Sequence, residues 1–328
     1  MKLRTIKNTT LETPPLMFGA NVFGWTLDET ASFRMLDMLL ERGYTFLDSA
    51  DSYGANFGLS ETIIGNWMKD RGVRDKMTIA TKTGNVKTVR EDGSVVRSRN
   101  NSRDYMTRAL EDSLRRLQTD HIDLYYTHFD DEVTPLEDVL ATHQGFIDSG
   151  KVRVIGGSNY SAERLTEAMQ KSERLNLPRY EIFQTEYNLM ERKEFETELR
   201  EVCERYDLSV ATYFSLAGGF LTGKYKGKSD FKGTARRSIT EKYFHEQGKS
   251  VIQTLEDVAQ EQDISVAGAA LRWILQRPGV TAAIASATNE SHLTAFDEAV
   301  EIILPDAAME KLTKVSSFDA SVVKISKV

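Results

Sequence analysis

Short apolar runs alternate with longer amphipathic stretches along almost the whole chain. Eight of the runs read as strands, at residues 15–20, 45–50, 77–83, 121–128, 152–159, 181–188, 208–215 and 281–287. Between them apolar positions recur every three or four residues, as Met106, Leu110, Leu114 and Leu117 do in "SRDYMTRALEDSLRRLQ", the stripe of a helix that buries one face. Eight strand–helix units without a low-complexity linker favour an α/β architecture: one closed parallel (β/α)8 TIM barrel, with residues 1–328 as a single domain. The competing arrangement is a doubly wound open sheet. It would carry G-x-G-x-x-G after an early strand, and that motif is absent; the nearest run, "GGSN", is too short. Two pieces exceed the pattern. Residues 1–13 read as an N-terminal hairpin closing the barrel bottom, and residues 217–248 as a long loop after the seventh strand, a length usual for lids and binding loops.

Composition narrows the function more than the fold. With 40% hydrophobic and 28% charged residues the chain reads as a globular protein with a substantial core. Its net charge of −7 argues against nucleic acid or an anionic membrane as partner. The N-terminus lacks the apolar run of a signal peptide, and no run of about 18 apolar residues occurs anywhere, so a cytoplasmic location is the expectation. Cys203, the single cysteine, excludes an internal disulfide and reads as a small core residue, with no basic partner beside it.

In a barrel of this kind the active site lies at the C-terminal ends of the strands. Those ends bring Asp48, Lys82 and His128 towards one another, and Tyr53 follows on the second loop of the run "TFLDSADSYG". Singly, each has an ordinary reading: Asp48 as a cap, Lys82 as a snorkelling side chain, His128 as a core histidine, Tyr53 as packing. Jointly, at three consecutive strand ends, they point to proton-transfer chemistry. Asp51 reads as a turn residue.

The runs "FLDSADSYG", "ATKTG", "SLRRLQTDHIDLYYTHFD", "VIGGSNY", "FQTEYN" and "GGFLTGKY" resemble successive motifs of the aldo-keto reductases, in the right order and over nearly the whole chain. The resemblance implies the same barrel and an NAD(P)H-dependent oxidoreductase that reduces an aldehyde or ketone to an alcohol by hydride transfer. Asp48, Tyr53, Lys82 and His128 would be its catalytic tetrad. Charge developing on the carbonyl oxygen needs a proton donor and hydrogen-bond stabilisation in place. Tyr53 is the donor; Lys82 is expected to lower its pKa, Asp48 to orient the lysine, and His128 to position the substrate oxygen.

The resemblance also implies a nicotinamide cofactor held without a Rossmann fold. Ser158, Asn159 and Gln184 match positions that hold the carboxamide, and Tyr213, followed by Leu216, matches the aromatic that stacks on the ring. Lys224, Lys226, Lys228, Lys232, Arg236 and Arg237 form a basic cluster suited to a pyrophosphate. At the eighth strand Ser286, Thr288, Asn289 and His292 would reach the adenosine phosphate. Two departures stand out: "YFSL" replaces the usual "YSPL", and Ala295 and Phe296 replace the Glu-Asn pair that holds adenine. His292 also stands where an arginine would grip a 2′-phosphate. NADP(H) is the expected cofactor and NAD(H) the alternative.

Trp25, Phe57 and Phe129 are expected to line the pocket mouth. Asp130 and Asp131 would accept hydrogen bonds from a hydroxylated substrate. A metal-dependent hydrolase is the first rival, but only His128 of five histidines lies at a strand end, and no H-x-H occurs. The second rival is a non-catalytic, nicotinamide-sensing regulatory subunit of the same fold. The expected partner is a small-molecule aldehyde or ketone; oligomeric state is left open.

Overall fold

Every one of the eight apolar runs contains a strand of the barrel. A computed structural model describes residues 1–89, 95–234 and 236–318. Strands β1 (Arg4–Thr5) and β2 (Glu12–Thr13) pair antiparallel. The barrel begins with β3 (Leu16–Gly19), β4 (Phe46–Asp48) and β5 (Thr78–Thr83). After a hairpin of β6 (Asn85–Val89) and β7 (Val95–Arg99) it continues with β8 (Ile122–Thr127), β9 (Val152–Ser158), β10 (Ile182–Glu186), β11 (Ser209–Tyr213) and β12 (Ala282–Ala285). The eight parallel strands close in the order β10-β11-β12-β3-β4-β5-β8-β9.

Alternation along the strands sorts the core into two layers. Met17, Phe46, Ala80, Leu124, Tyr126, Ile182, Ala211 and Ile284 fill the barrel interior. Leu16, Phe18, Leu47, Ile79, Tyr125, Phe183 and Val210 face outward, into the larger cluster shared with the helices. Burying each such side chain contributes about 1.5–3 kcal/mol. Ile6, fully buried, plugs the interior from the N-terminal hairpin. Arg4 Nη1 donates to Thr281 O at 2.9 Å, and the Lys7 amide to Ser209 Oγ at 2.9 Å. Both acceptors stand at strand starts, so this hairpin closes the bottom, as expected.

The crossover helices carry their own start signals. Asp28 accepts from the Ala31 amide, Ser161 from that of Arg164 and Ser265 from that of Gly268. Helix Leu59–Arg71 approaches Arg103–Leu117 so closely that a Cβ on Gly65 would lie 2.2 Å from Arg116 O. This approach lets Arg116 reach the buried Glu61 behind the site.

The β6–β7 hairpin was not foreseen. It interrupts the path from β5 to its helix, and its polar, arginine-rich sequence reads as loop; none of its described side chains is buried. The segment after β11 is packed rather than open: Phe231 is fully buried and stacks on Tyr225 at 4.4 Å between ring centroids. It carries the short helices Arg237–Thr240 and Glu241–Tyr243 and ends at the long helix Glu246–Gln262.

Candidate active site

Three strand ends and one loop assemble the polar centre. Lys82, with no exposure, donates from Nζ to Asp48 Oδ2 at 2.6 Å and to Ser49 O at 2.6 Å. The other Asp48 oxygen, Oδ1, accepts from Gln184 Nε2 at 2.9 Å across the barrel. Lys82 Nζ lies 4.9 Å from the centroid of the Tyr53 ring. Tyr53 meets the His128 imidazole edge to face, with centroids 6.1 Å apart. Tyr53 is set by the turn at Gly54, whose φ of 104° favours glycine.

These groups shift one another's proton affinities. Burial raises the Tyr53 pKa above the ordinary phenol value; Lys82 pulls it down, Asp48 pushes it up, and the net direction is upward. The expected lowering by Lys82 is therefore outweighed by desolvation, and the phenol keeps its proton. Burial alone would lower the Lys82 pKa, but Asp48 and Tyr53 together hold it above the ordinary lysine value. Burial, helped by the Lys82 charge, holds His128 well below the usual histidine range. Its Nδ1 is buried without a partner among the described residues. The arrangement therefore presents a protonated phenol and a neutral imidazole to whatever enters.

Asp51 lies in the turn after β4, as expected, but its carboxyl is buried. It is 4% exposed, and burial followed by the charge of Glu61 raises its carboxyl well above the ordinary aspartate range, against opposing pulls from Arg116 and Lys82. Glu61, in the first turn of its helix, accepts from Arg116 Nε at 2.7 Å and from Thr81 Oγ1 at 2.6 Å. Strand β5 thus receives support from behind on the face opposite the substrate side.

The centre opens into a cavity of about 1070 Å³. Its walls run from Tyr53, His128 and Phe129 past Asn159, Gln184 and Tyr213, over the loop that holds Leu216 and Gly219, to Ser286, Thr288 and His292. Tyr213 donates to Asn159 Oδ1 at 2.7 Å, and Asn159 Nδ2 donates to His128 O at 2.9 Å, so the aromatic wall is tied to the tetrad. Lys224 and Arg236 also line it, with the Lys224 charge acting on His292.

A model of the aldo/keto reductase family matches residues 15–317. The chain belongs to the aldo/keto reductase family. It is 33% identical over 306 residues to aldo-keto reductase YhdN of Bacillus subtilis (strain 168), with 91% of this chain and 88% of that one covered. It is 31% identical over 315 residues to a probable voltage-gated potassium channel subunit beta of Oryza sativa subsp. japonica, with 92% of each covered. The structure of the glycerol dehydrogenase AKR11B4 from Gluconobacter oxydans matches with a TM-score of 0.84 and 24% identity, covering 95% of this chain and 94% of that one. That likeness shows the fold.

Within this aldo/keto reductase several expected contacts fall elsewhere. Ser158 is fully buried behind the wall, donating to Gln184 O at 3.0 Å and accepting from Asn159. Asn289 turns inward on its own loop, capping the His292 amide at 3.2 Å. Asp130 is consumed by Arg164, at 2.6 and 3.1 Å, and Asp131 by Thr134 and the Asn101 amide. Neither aspartate is offered to a hydroxyl. Trp25 is 42% exposed under the Arg236 guanidinium, 5.4 Å from its ring centroid, and Phe57 is 37% exposed; both lie off the wall, whereas Phe129 is on it.

Of the basic cluster, Lys226 pairs with Glu256 and Arg237 with Glu241, Lys232 is exposed and off the wall, and Lys224 and Arg236 face the cavity. The side chain of Lys228 lies outside the described residues. Asn21, Asn85 and Arg97 also line the cavity and were missed. They sit on a single helical turn after β3 and on the added hairpin, whose paths no periodicity fixes.

Proposed function

We propose that this protein reduces an aldehyde or ketone to the corresponding alcohol at the Tyr53 centre, with NADP(H) as cofactor. The observation that carries the reading is Tyr53 set between the Lys82–Asp48 pair and a neutral His128 at the mouth of one large cavity. As negative charge grows on the carbonyl oxygen, His128 hydrogen-bonds that oxygen and Tyr53 Oη delivers its proton to it. The O–H bond of the phenol breaks as that of the alcohol forms. The phenolate left behind is stabilised by the Lys82 ammonium until solvent returns a proton.

The residues present suit a nicotinamide dinucleotide. Arg236 is a partly buried guanidinium with no carboxylate paired to it among the described residues, and with Lys224 it gives the cavity the charge a pyrophosphate requires. Asn159 and Gln184 would hold the carboxamide, the Tyr213 ring would stack on the nicotinamide, and Ser286, Thr288 and His292 would contact the adenosine end. When bound, the reduced nicotinamide supplies the hydride. A cytoplasmic location fits the lone thiol, Cys203, which burial pushes up to about 12 and leaves inert.

The test follows nicotinamide absorbance with NADPH or NADH and an aromatic aldehyde, beside Tyr53→Phe, with cofactor binding read by tryptophan fluorescence. Turnover lost in the variant while cofactor still binds supports the reading; failure of either cofactor to bind overturns it. A second reading, a nicotinamide-sensing regulatory subunit, is favoured by the likeness to a channel beta subunit. Oxidation of a single equivalent of bound NADPH under excess aldehyde would select it.

A further inference from the structure

The hairpin of β6 and β7 has no part in the barrel, yet it contributes Asn85 and Arg97 to the cavity that holds Tyr53, His128 and Phe129. Its base is fastened. The Asn100 amide donates to Gly84 O at 3.1 Å, and Tyr105 Oη to Asn85 O at 3.4 Å. Arg99 is spent on the neighbouring loop: it donates to Asp130 O at 3.1 Å, lies 3.9 Å from Glu132 and stands 5.0 Å over the Phe129 ring.

Arg97, two residues earlier on the same strand, has no hydrogen bond or ion pair among the described residues. Among the described residues, the acids of the neighbouring loop are engaged: Asp130 with Arg164, Asp131 with Thr134 and the Asn101 amide, and Glu132 lies 3.9 Å from Arg99. The strand of Arg97 is fastened to the loop after β8, through Arg99 on Asp130 O and over the Phe129 ring, while Lys224 stands close enough to His292 for its charge to act there. An arginine stays charged at all physiological pH and its planar fork matches phosphate or carboxylate oxygens two at a time. A chain of net charge −7 has no general attraction for anions, so such recognition must come from a local group.

We infer that Arg97 is a specificity-determining residue that selects an aldehyde or ketone bearing an anionic group, phosphate or carboxylate, with the charged end at the hairpin and the carbonyl at Tyr53. This rests on the reductase reading above. The anion binds Arg97 in place of water, with the Asn85 amide as a second donor.

The test uses the full chain with NADPH and two matched pairs: glyceraldehyde 3-phosphate beside glyceraldehyde, and succinic semialdehyde beside butanal. In Arg97→Gln, kcat/KM for the preferred anionic member falls about tenfold or more, mainly through KM, and that for its neutral partner is unchanged. Which pair responds tells phosphate from carboxylate. Equal losses on charged and neutral members, or no preference of the wild type for either charged member, overturn the inference. A second measurement is calorimetric binding of glycerol 3-phosphate and of succinate to the chain in excess NADP+, which occupies the Lys224 and Arg236 region. Binding that Arg97→Gln abolishes keeps the anion site even if no aldehyde is turned over, in which case the reductase reading is what fails. Binding equal in both proteins, or absent from both, overturns the site.

Discussion

Lys82 Nζ is 2.6 Å from Asp48 Oδ2, and both side chains are buried, at 0% and 3% exposure. Such a pair is expensive to split, because removing one partner leaves an uncompensated charge in a low-dielectric site. Lys82→Met is expected to destabilise the fold by about 3–5 kcal/mol and to lower kcat about 10²–10⁴-fold through loss of phenolate stabilisation. Adding Asp48→Asn to Lys82→Met removes the stranded charge and restores most of the stability, but none of the turnover. Urea unfolding and single-turnover kinetics separate the two effects. Recovery of activity in the double variant would assign the pair to folding alone.

The proton affinities at the site set a distinctive pH profile. Tyr53 is displaced above the ordinary phenol value and His128 well below the ordinary imidazole value, in both cases chiefly by burial. Tyr53 then remains an acid and His128 remains neutral across the range between them. The reductive kcat/KM is expected to be flat from below about pH 6.5 to about pH 10. It falls above that range, as Tyr53 ionises, and only at distinctly acidic pH, as His128 takes a proton. An inflection near pH 6.5 that disappears in His128→Gln would contradict the assignment of a neutral imidazole.

Cofactor choice turns on the adenosine end of the cavity. Burial and the neighbouring Lys224 charge lower the His292 pKa, so this side chain offers hydrogen bonds rather than charge to a 2′-phosphate at neutral pH. The charge of Lys224 and Arg236 is the one proposed above for the pyrophosphate, which both cofactors carry. Lys224→Ala is expected to weaken NADPH binding about tenfold, and His292→Arg to tighten it by a similar factor while leaving NADH nearly unchanged. Fluorescence titration with both cofactors measures the two ratios. Equal effects of His292→Arg on NADPH and NADH would remove His292 from the 2′-phosphate region.

The barrel was legible because its strands are short, apolar and buried, so each run could be read without knowing its neighbours. Asp48, Lys82 and His128 were legible for a related reason: a strand end in a barrel has one direction to face. What escaped depends on pairings between distant segments. Asp130 looks available to substrate until Arg164, 34 residues on, is seen to hold its carboxylate. Ser158 resembles a ligand until its hydroxyl is found behind the wall, on Gln184 O. The β6–β7 hairpin buries little and leaves a pattern like that of a loop, so Asn85 and Arg97 gave no signal of their place in the cavity.

Asp51 offers a prediction about stability independent of catalysis. Its carboxyl is buried, one oxygen lacks a partner among the described residues, and desolvation together with Glu61 raises its pKa well above the ordinary range. Folding therefore takes up a proton at this group wherever the unfolded aspartate would be ionised. Its contribution is fully favourable below the ordinary aspartate range. As pH rises from there towards the raised folded value, stability is lost by about 1.4 kcal/mol per pH unit. Asp51→Asn has no proton to take up, so its difference from wild type should be near constant at acidic pH and should move in favour of the variant as pH rises. The gain of the variant on the wild type should continue with each pH unit up to the raised folded value and then level off. Denaturant midpoints of both proteins across pH, with folding confirmed by near-ultraviolet circular dichroism, measure that difference. A wild-type advantage that stays constant or grows with pH would mean that Asp51 is ionised in the fold, held by Arg116 and Lys82 against its burial.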